Sequence, residues 1–252
     1  WELAHKDLII DSPAYQPDKI QVTILVGLND YQGVKGWVNK PGTDGTVVIS
    51  GTNLNSIKLT LDFNSKENPF NWSQKDNYTN IAYGVLKDLD HGTIVANLGN
   101  SSTDNEVLTT TVINALQTKD KNDFLKLQEQ LKSLTDKNYA ETGKQKFQHF
   151  IVRAVDDQEC PVNDFMLEFD LVHTDNIHGH LANQDKITEL ENKFSMDINK
   201  IFTEEIHTHT LNPSYRRFLV NLDEMHKKIT EAKKAIGGDV AVVMKISIPD
   251  ID

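Results

Sequence analysis

Several things are scarce in this chain, and each scarcity excludes something. Cysteine occurs once, as Cys160, so no internal disulfide staples the fold, and the redox compartment stays open. No run of about 18 apolar residues exists, which excludes a membrane-crossing helix within these residues. Positive charge is outnumbered, 26 Lys+Arg against 37 Asp+Glu for a net −11. A chain that acidic repels a phosphate backbone unless cations cluster, and the basic residues gather only into pairs such as Lys227-Lys228 and Lys233-Lys234. No nucleic-acid partner is therefore expected. Trp1 is preceded by no initiator Met and followed by no apolar leader, so the chain reads as a fragment or processed product. Internal repeats and low-complexity tracts are also missing.

What remains is ordinary globular composition, 38% hydrophobic and 25% charged, in 252 residues, enough for one large domain or two. Ile20-Gln-Val-Thr-Ile-Leu-Val26 is a β-branched, nearly continuous apolar run closing on Gly27, the pattern of a strand buried on both faces of a parallel sheet. Ile57–Phe63 and Ile81–Leu86 are further strand candidates. Thr103-Asp-Asn-Glu106 reads as a capping box before a helix carrying Leu108, Val112, Ala115 and Leu116, and Phe124, Leu127, Leu131 and Leu134 mark a second. Strands alternating with helices favour an α/β layer architecture.

The composition turns polar over Asp136–Lys146, which places a boundary there: a first domain at residues 1–140 and a second at 145–252. In the second, Phe147–Val155, Phe165–Leu171, Arg217–Leu222 and Val240–Ile248 read as strands. Ile187–Ile201 and Leu222–Ile236 read as amphipathic helices. The expected class is α/β followed by a β-rich, sandwich-like domain with inserted helices.

The residues best placed for chemistry are Asp44, in the turn Pro41-Gly-Thr-Asp-Gly-Thr46, and His91, in Asp88-Leu-Asp-His-Gly92. Both follow strands, so both fall outside the C-terminal ends of a parallel sheet, where open α/β sheets keep their sites. A hydrolytic triad needs an acid to fix the imidazole tautomer and stabilise the ring once protonated. The plainer alternative is that Asp44 fills a turn and His91 caps a helix or faces solvent.

Gly42-Thr-Asp-Gly-Thr-Val-Val48, Thr52-Asn-Leu-Asn-Ser56, Leu59-Thr-Leu-Asp-Phe63 and Asp90-His-Gly-Thr-Ile-Val95 together resemble the C-terminal half of lipase- and esterase-like α/β hydrolases. The resemblance covers about residues 1–118, with Trp1–Tyr15 similar to the tail of a lid region. It implies a partial α/β-hydrolase sheet, Asp44 as triad acid, His91 as general base and an acyl ester or lipid as substrate, with no cofactor. The acid-then-base order matches the family's Ser, Asp, His order. No G-x-S-x-G nucleophile elbow occurs in the sequence, so the resemblance puts the Ser in an N-terminal half upstream of Trp1. Val152–Asp157, Pro161–Asp164 and Asn212–Arg217 more weakly resemble an accessory domain of such proteins. A non-catalytic binding or adhesion module is the alternative function.

Histidines gather in the second half. His207 and His209 alternate on an expected strand, and His178-Gly-His180 could add a ligand, a spacing zinc accepts. No Cys or carboxylate stands at ligand spacing beside them, so no metal is assigned. Asp88 with Asp90 and Asp156-Asp157 lack an EF-hand loop and read as turns. Arg216 and Arg217 are expected to start a strand or form a structural salt bridge.

Overall fold

The computed structural model describes residues 19–63, 71–76, 81–96, 103–176, 188–204 and 206–249. His178, His180 and Trp1–Tyr15 lie outside the described residues. The chain divides into two compact units, Trp1–Lys144 and Gln145–Asp252.

In the first unit, β1 (Val22–Gly27) pairs in parallel with β4 (Ile81–Leu86), from Val22↔Ile81 to Gly27↔Leu86. Ile81, Ala82, Val85 and Leu86 are buried, as near-continuous apolar runs of parallel strands require. Helix α2 (Thr103–Leu116) and the long helix α3 (Lys121–Thr142) follow a one-turn helix α1 (Thr93–Ala96). Asp120 caps α3 by accepting from the N–H groups of Asn122 and Asp123, and Gly143, at φ 64°, closes it in the left-handed conformation that glycine adopts without strain. The polar stretch from Asp136 is thus mostly helix: α3 runs through it, burying Asn138, and the division between units falls after Lys144.

Phe124, Leu127 and Leu131 of α3 pack on Ala82 of β4. The same helix seals the strand's outer edge with polar side chains. Gln128 Nε2 donates to Ile81 O at 2.8 Å, Asn138 Nδ2 donates to Val85 O at 2.8 Å, and Val85 N donates to Thr135 Oγ1 at 2.9 Å. β4 is thereby closed to further pairing, while β1 pairs only with β4 among the described residues.

Ile57–Phe63 departs from expectation. β2 (Ile57–Asp62) joins no parallel sheet but forms an antiparallel hairpin with β3 (Asn71–Asp76). All six residues of β2 are exposed, so the α/β alternation expected of this half is confined to β1 and β4. The reason lies in the partner: Asn71-Trp-Ser-Gln-Lys75 is largely polar, and two such strands bury too little to join a core.

The second unit is mixed. β5 (Phe147–Arg153), β8 (Tyr215–Asn221) and the two-residue β7 (His207–Thr208) form one antiparallel sheet; β6 (Met166–His173) and β9 (Val240–Ser247) form another. Two 15-residue helices, α4 (Glu189–Thr203) and α5 (Leu222–Ile236), furnish the core alongside the strands. Phe165, Phe169 and Leu171 meet Phe194, Ile198 and Phe202 of α4, Phe218 of β8 and Ala232 of α5. Helix α4 contributes as much to this core as any strand, which the sandwich-like expectation did not anticipate.

Helix α4 repeats the edge-sealing device. Its Glu191, Ser195 and Asn199 stand four residues apart and accept from the N–H groups of His173 (2.8 Å), Leu171 (2.9 Å) and Phe169 (3.0 Å). The match is geometric, since four helical residues rise about 6 Å and two strand residues about 6.6 Å. Glu191 also closes a capping box with Thr188.

Arg216 and Arg217 lie near the start of β8, and neither forms a salt bridge among the described residues. Arg216 lies 4.4 Å over the Phe165 ring and donates to Pro213 O and Asn163 O, while Arg217 Nε is buried without a hydrogen-bond partner.

Candidate functional site

Because β1 and β4 run parallel, the segments that leave them depart from the same edge. The first runs from Leu28 to Thr52, through two 3-10 turns, Gly33–Val38 and Ile49–Thr52; the second is Lys87–Thr93. They are locked together by backbone hydrogen bonds: Leu28 N to Leu86 O, Asn29 N to Leu89 O and His91 N to Asp44 O, each 2.9 Å. Gly27 makes this approach possible, because a Cβ there would fall 2.9 Å from the Leu89 carbonyl carbon and 3.1 Å from that of Asp90.

Asp44 sits in this junction with its side chain 2% exposed. Its Oδ1 accepts from Thr46 N (3.1 Å) and Val47 N (2.9 Å), and its own N–H donates to Val47 O (3.1 Å). The second oxygen, Oδ2, lies 3.2 Å from His91 Nδ1. So the turn reading of Asp44 and its pairing with histidine are both true: one oxygen builds the turn and the other meets the ring. The His91 ring is 44% exposed, and Nε2 makes no hydrogen bond among the described residues. With Nδ1 taken as the protonated nitrogen facing the carboxylate, Nε2 carries the lone pair and is the ring's basic atom.

Four residues to which the sequence assigned no part in the site, Tyr31, Gly45, Asp90 and Tyr83, support the loops around the pair. Tyr31 bonds Thr46 Oγ1 through its hydroxyl at 2.7 Å, and its ring fills the space a Cβ on Gly45 would need. Gly45, at φ 99°, is in a conformation a side chain would strain. Asp90, considered as a calcium ligand, instead caps α1: its Oδ1 accepts from Gly92 N (2.9 Å), Thr93 N (2.8 Å) and Thr93 Oγ1 (3.0 Å). Tyr83 donates to Ile49 O at 2.7 Å, and burial pushes its hydroxyl far above the ordinary phenol range, so it stays protonated. The Asp-His-Gly-Thr string was itself the signal for Asp90, since Asp three residues before Thr at a helix start is capping chemistry.

The histidines weighed as metal ligands are placed differently. β7 ends at Thr208, His207 is exposed beside Arg217, and His209 Nδ1 accepts from Asn212 N at 2.9 Å to build a turn. No cluster of three or more His, Cys, Asp or Glu able to hold a metal exists among the described residues. Asp156 closes its own turn by accepting from Gln158 N and Cys160 N.

In class, then, this is a mixed helix and strand protein with small sheets and a buried aspartate against a half-exposed imidazole at one sheet edge. Two solved structures share its fold. Phospholipase PlaB from Legionella pneumophila aligns with TM-score 0.68 at 16% identity, covering 88% of this chain and 47% of that one. The same phospholipase in complex with thio-NAD aligns with TM-score 0.69 at 15% identity, covering 97% of this chain and 52% of that one. The chain spans about half the length of these structures. No protein-family model matches the sequence, and no curated protein does. No described helix is long and apolar enough to cross a membrane.

Proposed function

We propose that this chain supplies the acid and base of a serine ester hydrolase of the lipase or phospholipase kind, acting on acyl esters or lipids. The observation that carries the reading is the 3.2 Å approach of Asp44 Oδ2 to His91 Nδ1 at the C-terminal edge of a parallel strand pair. His91 Nε2 takes the proton of a serine hydroxyl as the oxygen attacks the acyl carbonyl, then returns it to the leaving alcohol; Asp44 stays ionised, holding the ring. Two hydrogen bonds from Thr46 and Val47 keep the carboxylate oriented.

The nucleophile belongs, in this proposal, to sequence preceding Trp1. The sheet supports that assignment. With β4 sealed by Gln128, Thr135 and Asn138, a further strand has its place at the open edge of β1. The region of phospholipase PlaB that aligns with this chain is about half of that protein. Within this reading residues 1–140 complete an α/β-hydrolase domain and residues 145–252 form an accessory domain.

A fluorophosphonate probe tests this directly, since it labels only activated serines. Applied to the complete natural protein, it should label one serine outside the 252 residues, and His91→Ala should abolish labelling. A label on a serine within these residues, or labelling indifferent to His91, would overturn the assignment.

A further inference from the structure

The Gly33–Val38 turn presents the most exposed aromatic residue described in this chain. Trp37 is 92% exposed and Val34 85%. They stand three residues apart on a 3-10 helix, and at 3.0 residues per turn they project from the same side. The turn is clasped: Asn39 Nδ2 donates to Tyr31 O (2.9 Å), Tyr31 N donates to Asn39 Oδ1 (3.0 Å), and Asn39 N donates to Gly36 O (3.2 Å). Through its hydroxyl and ring, Tyr31 then ties the turn to Thr46 and Gly45 of the Asp44 loop. A third apolar residue, Val95, is 78% exposed on α1, just after His91. An indole held out in water by this many bonds gains nothing for the fold.

We propose that Val34 and Trp37 anchor this sheet edge in the surface of a zwitterionic lipid bilayer, seating the Asp44–His91 pair at the lipid–water boundary. The choice of lipid rests on the ester-hydrolase reading. Three features favour a bilayer over a second copy of the chain. Two side chains offer about 400 Å² at most, half of what a specific interface needs from each partner. A protruding Trp requires a complementary pocket in a protein, whereas a bilayer interface accepts it without one. The net charge of −11 disfavours both self-association and anionic lipid, leaving zwitterionic headgroups. A single small anchor gives weak, reversible attachment.

The test is sedimentation of the complete natural protein with vesicles of diether phosphatidylcholine, whose ether linkages cannot be hydrolysed, so that binding is read apart from turnover. The protein should partition onto the vesicles. Trp37→Ser and Val34→Ser should each lower the partition coefficient, the former at least about tenfold, while Leu211→Ser, at an 89% exposed site in the second unit, leaves it unchanged. All three sites are at the surface, so each variant folds. No partition by the parent protein, or partition undiminished in Trp37→Ser because the β2–β3 hairpin carries it, overturns the anchor. A sedimentation-velocity dimer dissolved by Trp37→Ser overturns it in favour of a second copy. Binding without esterase activity leaves the anchor standing and refutes the hydrolase reading; activity without binding does the reverse.

Discussion

Gly27→Ala tests the junction on which the site depends. The new Cβ would meet backbone rather than a side-chain tip: Leu89 O most closely, with the Leu89 carbonyl carbon at 2.9 Å and that of Asp90 at 3.1 Å. Ordinary carbon contacts begin near 3.5 Å, so the Lys87–His91 segment must recede by at least about 0.6 Å. Leu89 O is also the acceptor for Asn29 N, and that 2.9 Å bond stretches or breaks with the shift. Overpacking costs about 1–3 kcal/mol and the hydrogen bond about 1 more, for a loss of roughly 2–4 kcal/mol. Urea unfolding, with the midpoint lowered and the slope unchanged, reads this. Gly84→Ala is the companion, since its Cβ would press on Leu131 Cδ2 at 2.9 Å, the end of a side chain that can rotate away. Gly143→Ala is the other, with open space but φ 64°. Gly27→Ala costing no more than these two would refute the claim that the loops meet at this glycine.

Three further outcomes follow from the second unit. His149, whose pKa is lowered to about 4 by burial and then by Arg217, binds its proton less well folded than unfolded. Its contribution is therefore intact above about pH 6.5 and lost as pH falls toward 4, with a slope of at most about 1.4 kcal/mol per pH unit, reduced by the ring's partial exposure; His149→Leu should flatten that part of the stability–pH curve. Asn199→Leu and Ser195→Ala orphan the N–H groups of Phe169 and Leu171, and each should cost about 1–3 kcal/mol in urea unfolding, with Asn199→Asp milder because an acceptor remains. Residues 145–252, expressed alone, should unfold in one cooperative transition, since Phe165–Leu171, α4, β8 and α5 share a core of their own; a non-cooperative melt would contradict that.

Where one periodicity governed a segment, the sequence was legible. Val22–Gly27, Ile81–Leu86, Met166–His173 and Val240–Ser247 are strands where apolar runs or alternation placed them. Both amphipathic helices of the second half also stand within a residue or two of their expected spans. The pairing of Asp44 with His91 could be foreseen because a parallel sheet delivers successive loops to one edge. Its supports could not: Tyr31 reaches Thr46 across 15 residues, and Gly27 looks like any strand end until Leu89 is seen against it. The edge ladders were equally hidden, since Gln128, Thr135, Asn138, Ser195 and Asn199 read as polar punctuation on apolar helices and acquire meaning only beside strands distant in sequence. His207 and His209 were weighed as neighbours on one strand, but that strand stops after Thr208, and His209 Nδ1 accepts from Asn212 N in a turn.

The central claim, that Asp44 and His91 work as acid and base on an upstream serine, is met most directly by the turnover of a p-nitrophenyl acyl ester. The complete natural protein should hydrolyse it; His91→Ala should lower kcat at least about a thousandfold, and Asp44→Asn should lower it by a comparable factor with KM little changed. The 252 residues alone should show no measurable turnover. Hydrolysis by these residues alone, at a rate indifferent to His91→Ala, would contradict the account.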